Sequence, residues 1–251
     1  MLKQGTELLQ GFSITLWKAA ELRAEIEQVG ISDDATNGRF IALGMGANGA
    51  GGGYVIGKYE AKNEGGIGPI LVSKTNQADI NTLTGVVVIG TDFWAATLSG
   101  GGSSNLVKNG TGPIIIGTEY DGPLGHNPNL EYLLVLRSTT LIAQYSGIDT
   151  STITNQGDIT LDTAVDDDKG FIYDGDNDRI ICVDTANNLI RRFDSTGTTI
   201  DFVPYTTNDN KLSGITSIDR RVYLVLSDSE SGVGFGSLGT YDLIPTNMTL
   251  K

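Results

Sequence analysis

Thiols and imidazoles are almost missing from this chain of 251 residues: Cys182 is its one cysteine and His126 its one histidine. A single cysteine excludes an intrachain disulfide. One histidine with one cysteine excludes the His and Cys clusters that hold zinc. A Ser-His-Asp triad would have to use His126, and no Gly-x-Ser-x-Gly elbow supports one. Basic residues are also scarce, with 17 Lys and Arg against 30 Asp and Glu, a formal net charge of −13 and a pI of about 4.4. That balance disfavours nucleic acid as a partner, because such binding rests on neutralising phosphates with Lys and Arg. Solubility is the ordinary use of the surplus acid. No apolar run approaches the roughly 18 residues of a membrane span. Leu2-Lys3-Gln4-Gly5-Thr6-Glu7 interrupts any signal-peptide core after Met1. The sequence therefore predicts synthesis in the cytoplasm without a signal peptide, and no span.

Glycine is what the chain has in excess: 34 residues, about twice the usual share. Glycine reaches positive φ without steric cost, so the excess points to many tight turns rather than long helices. Its spacing has no period of three, which excludes a collagen-like chain. From about residue 31 onward, short β-branched and aromatic runs alternate with Gly, Asn, Asp, Ser and Thr turns, the texture of an all-β domain. The segment before that reads differently. Residues 13–29 are rich in Ala, Leu, Glu, Lys and Arg, with Ser13 placed to cap a helix and Gly30 to end it. Leu22, Ile26 and Val29 fall on one helical face. The spacing predicts an N-terminal arm over residues 1–30 with one helix, followed by a repeat domain over 31–251.

The repeat is visible in two series. Gly66-Ile67-Gly68-Pro69-Ile70-Leu71-Val72 returns as Gly110-Thr111-Gly112-Pro113-Ile114-Ile115-Ile116, about 44 residues later. Gly157–Leu161, Thr198–Val203 and Tyr241–Pro245 continue the series. The second comprises Arg39–Leu43, Val86–Ile89, Tyr132–Leu136, Arg179–Val183 and Arg221–Leu226. A period of about 43 residues matches four strands plus turns, the size of one β-propeller blade. The expectation is an all-β propeller of about five four-stranded blades.

The fourth unit reads most clearly. Gly170–Asp174 is a strand, Gly175-Asp176-Asn177-Asp178 a turn, and Arg179–Asp184 the next strand. Thr185-Ala186-Asn187-Asn188 then turns into Leu189–Asp194, and Ser195-Thr196-Gly197 leads to the last strand. This unit resembles an NHL-type propeller blade over about 35 residues: an aromatic and Asp before a turn, then Arg-Ile and Val-Asp, then a strand ending in Phe-Asp. The resemblance implies a binding platform.

Each motif with chemical potential also has a plain structural reading. Cys182, within Ile180-Ile181-Cys182-Val183, reads as a buried strand thiol rather than a nucleophile. His126, in Gly122-Pro123-Leu124-Gly125-His126-Asn127-Pro128, reads as a solvated loop residue. Gly44-Met45-Gly46-Ala47-Asn48-Gly49 has dinucleotide spacing, but glycines and a strand follow it where a helix is needed, so it reads as a hairpin loop. Asp174, Asp176 and Asp178 have the spacing of the first carboxylates of a calcium loop. Arg179 and Thr185 stand where Gly and Glu belong, so these are weak metal candidates and a turn explains them better. Asp166-Asp167-Asp168 reads as a solvated loop. No catalytic residue and no cofactor is predicted.

Leu8, Leu9, Phe12 and Trp17 are the predicted partner-binding residues, set either to enter a partner's groove or to pack on the domain's own face. The absence of a cysteine framework, the Gly/Thr/Asn-rich strands, the degenerate repeats and the N-terminal arm together resemble a bacteriophage virion component, a tail or accessory protein. That likeness implies a structural, non-catalytic role, protein subunits as partners and a homo-oligomer or larger assembly in a virion. Two alternatives stand beside it. A lectin-like propeller binding carbohydrate needs exposed aromatics once per blade, and Trp94, Tyr145, Tyr173 and Tyr223 do not share one phase. A propeller glycoside hydrolase needs two acids set apart in space, and nothing singles out two of the 30.

Overall fold

The computed structural model describes residues 122–148, 150, 152–206 and 240–250 and, elsewhere, the strand segments named here. The described residues contain strands and turns and no helix. They form five antiparallel four-stranded sheets. The first strand in the chain, β1 (Phe12–Thr15), belongs to the last sheet. Sheet one is β2 (Ile26–Asp34), β3 (Gly38–Met45), β4 (Tyr54–Ala61) and β5 (Ile70–Gln77). Sheet two is β6 (Thr82–Ile89), β7 (Asp92–Leu98), β8 (Ser104–Lys108) and β9 (Thr111–Gly117). Sheet three is β10 (Leu124–Asn127), β11 (Tyr132–Ser138), β12 (Leu141–Ser146) and β13 (Thr154–Thr160). Sheet four is β14 (Phe171–Asp174), β15 (Arg179–Asp184), β16 (Leu189–Asp194) and β17 (Thr199–Pro204). Sheet five is β18 (Leu212–Ile218), β19 (Arg221–Ser227) and β20 (Thr240–Thr249), completed by β1 at its outer edge.

Within sheets one to four the strands follow chain order, each joined to the next as a hairpin. The first strands lie beside one another in a cycle: β2 by β6, β6 by β10, β10 by β14, β14 by β18, and β18 back to β2. At these inner strands the backbones come close. A Cβ on Gly125 of β10 would stand 2.5 Å from the Phe171 ring of β14, so glycine is what lets that ring lie against the strand.

Continuous apolar runs arise because the middle strands are covered on both faces. Leu133 and Val135 point toward sheet two and pack with Val87, Trp94, Ala96 and Leu106. Leu134 and Leu136 point the other way, onto Phe171, Ile180, Cys182 and Phe193 of sheet four. The alternation repeats one sheet further on, where Ile181 and Val183 pack with Leu212, Ile215, Val222 and Leu224 of sheet five. Each such side chain, fully buried, stabilises by about 1.5–3 kcal/mol. Cys182 is wholly enclosed, and burial pushes its thiol pKa up, away from the reactive thiolate.

Three expectations need correction. Where helix is predicted over 13–29, residues 13–15 lie in β1 and residues 26–29 in β2. Ser13 and Ile14 pair with Asp242 and Tyr241, and Val29 pairs with Leu43. Helix propensity is a weak prior, and pairing with β20 and β3 overrides it. Residues 16–25 lie outside the described residues. Second, Val86–Ile89 belongs to β6, the first strand of its sheet, whereas the other members of that series are second strands. Third, Tyr241–Pro245 is in a third strand, because the N-terminal β1 supplies the fourth. Sheet four, in contrast, has its strands where the turn residues put them, and the hairpin expected at Gly44–Gly49 is present as the β3–β4 pair, with Met45 opposite Val55.

Candidate functional site

Polar side chains join sheets three and four along the seam between them. Two groups of contacts make this seam, two neighbouring hairpin turns and the connection from β13 to β14, and ion pairs within sheet four stand beside them.

The β10–β11 and β14–β15 turns have the same construction. Each ends on a non-glycine residue in the left-handed region, Glu131 at φ 54° and Asp178 at φ 56°. Asn127 shapes the first turn, its Oδ1 accepting from the N–H groups of Asn129 at 2.9 Å and Leu130 at 3.3 Å. In the second, Asn177 Nδ2 donates to Asp174 Oδ2 at 3.0 Å. Cross-links join the two. Asn127 Nδ2 donates to Tyr173 Oη at 2.8 Å and Asn129 Nδ2 donates to the Gly175 carbonyl at 2.6 Å, while within the second hairpin the Tyr173 hydroxyl donates to Asp178 Oδ1. The hydrogen bond from Tyr173 holds the Asp178 carboxyl below its ordinary range, helped by Ser195 and Asn129. Burial, then the Asp178 bond, push the Tyr173 pKa up, so the phenol remains a donor.

The connection over 161–170 is a wedge. Leu161 and Val165 drop into the apolar core between the sheets. Asp162 and Asp166, each one residue further on, point the other way and grip sheet four. Asp162 accepts from Thr199 N–H at 2.9 Å and Thr199 Oγ1 at 2.5 Å. Asp166 accepts from Thr185 N–H at 2.6 Å and Thr185 Oγ1 at 2.7 Å. The Thr199 hydroxyl is the first cause of a lowered Asp162 pKa. Backbone bonds hold the wedge to both sheets, from Leu161 N–H to Thr140 at 2.8 Å and from Asp162 N–H to Gly197 at 3.0 Å. Further out, the enclosed Asp184 carboxylate accepts from Arg191 Nε at 2.6 Å and from Asn187 Nδ2 at 2.9 Å. Arg192 forks onto Asp201, with Nε to Oδ1 at 2.9 Å.

These contacts locate the residues singled out in the sequence. Asp174, Asp176 and Asp178 occupy one turn but are not gathered as ligands. Asp174 turns inward onto Asn177 and Asp178 is engaged by Tyr173, and among the described residues no group of three His, Cys, Asp or Glu side chains is placed to hold a metal. Asp166 is part of the wedge rather than a solvated loop. His126 lies in strand β10, half-buried, with Nε2 3.4 Å from Glu131 Oε2, which corrects its reading as a loop residue. Phe12 is in β1 opposite Leu243, while Leu8, Leu9 and Trp17 lie outside the described residues.

The arrangement is suited to holding sheets together. Three described carboxyls, Asp162, Asp178 and Asp194, have pKa values moved from the ordinary range, and all three are lowered by hydrogen bonds, with Thr196 the leading donor to Asp194. The sugar-stacking alternative loses two of its aromatics: Trp94 and Tyr145 are buried in the core between sheets two and three. The Asp–Thr grips leave no mark in the sequence, because Asp162 and Thr199 are separated by 37 residues and no local pattern joins them.

Tyr173→Phe tests the cross-link. It removes the donor to Asp178 and the acceptor for Asn127, a loss of about 1–2 kcal/mol at neutral pH. Asp178 has a lowered folded pKa, so its contribution is complete above the ordinary carboxylate value of 3.8 and is lost as pH falls through the folded value. Thermal unfolding should therefore separate wild type from the variant at pH 7, with the gap narrowing below about pH 4.

No protein-family model and no curated protein matches the chain. Among solved structures, it is similar to a luciferin-regenerating enzyme at 11% identity with a TM-score of 0.48, over 96% of this chain and 99% of that one. At that distance the likeness transfers nothing to this chain. No helix among the described residues is long and apolar enough to cross a membrane.

Proposed function

We propose that this chain is a non-catalytic structural protein, a closed β-propeller of five blades that serves as a docking platform in a homo-oligomer or a larger assembly such as a phage tail. The cyclic order of the first strands carries this reading. Among the described residues, sheets three and four have apolar faces against their neighbours on both sides, so these sheets brace one another. The seam supports it as well: its carboxylates are engaged by hydroxyl, amide and guanidinium donors, which favours a rigid frame over acid–base work. A rigid frame preserves its surface on binding and keeps the ordering cost of association low.

Light scattering of the intact chain tests the reading. Self-assembly predicts a mass at a multiple of 26.6 kDa that persists on dilution. A mass of 26.6 kDa at every concentration would overturn the homo-oligomer. A glycoside panel adds the enzymatic control: turnover that disappears on single Asp or Glu substitution would replace the structural reading with a hydrolase.

A further inference from the structure

We draw no further inference here: the strongest candidate, the apolar outer edge of sheet four where Ile200 and Phe202 are exposed on β17, carries nothing because no feature of the structure shows what covers it.

Discussion

Deleting residues 1–15 lowers the unfolding temperature and leaves a chain that associates non-specifically. The deletion removes β1, whose residues Phe12 to Thr15 pair with Leu243 to Thr240. Losing that ladder, at about 1 kcal/mol per backbone hydrogen bond, costs about 2–4 kcal/mol. In a chain of this size each kcal/mol shifts the midpoint by about 2–4 °C, so a fall of roughly 10 °C is expected. The deletion also bares the outer edge of β20, and an exposed strand edge is a template for pairing with another chain. Calorimetry with light scattering on the same sample reads both effects. An unchanged midpoint with a monomeric product would instead describe a detachable arm, the role that the helical composition of residues 13–29 suggests.

Gly197→Ala has an effect of the same order by another route. Gly197 closes the turn between β16 and β17 at φ +93°, and its carbonyl accepts from Asp162 of the wedge. A Cβ there would stand 2.1 Å from the Thr160 carbonyl oxygen and 2.7 Å from the Thr160 carbonyl carbon. These are backbone atoms of β13, which cannot turn aside as a side chain can. The forced φ costs about 1–3 kcal/mol and overpacking about as much again, so about 2–6 kcal/mol in total is expected. Gly157 provides the control: its φ is +104°, but nothing lies within 4 Å of an added Cβ. Gly157→Ala should show the backbone strain alone. Equal midpoints for the two variants would mean that sheets three and four do not meet at Gly197.

The comparison between sequence and structure turns on which interactions are local. Sheet four was legible because Asp174–Asp178, Thr185–Asn188 and Ser195–Gly197 are turn-forming segments set between β-branched runs, and each hairpin is a local event. The second unit was harder to phase, since Val86–Ile89 reads equally well as a first or a second strand of its sheet. Tyr241–Pro245 has the expected spacing but a different rank in its sheet, because the fourth strand of sheet five comes from the opposite end of the chain. The helix over 13–29 was suggested by real propensity, yet Ile26, Val29 and Ile31 also suit a strand, and pairing with Met45, Leu43 and Ile41 of β3 decides the outcome. The seam was least legible. Its acids read as solvent-facing runs, and only folding brings Asp162 to Thr199, Asp166 to Thr185 and Asn127 to Tyr173.

β1 completes sheet five by pairing with β20, and a designed disulfide measures that pairing directly. Ser13 and Asp242 are opposite each other in the β1–β20 ladder, at a separation that antiparallel pairs make suitable for an S–S bridge. Cys182 is buried, so the double variant Ser13→Cys with Asp242→Cys adds the only accessible thiols among the described residues. Under mild oxidation a fast-migrating, covalently closed monomer is expected in denaturing gels, with about 2–4 kcal/mol of added stability that a reductant removes. Free thiols that titrate fully after oxidation of the folded protein would contradict it.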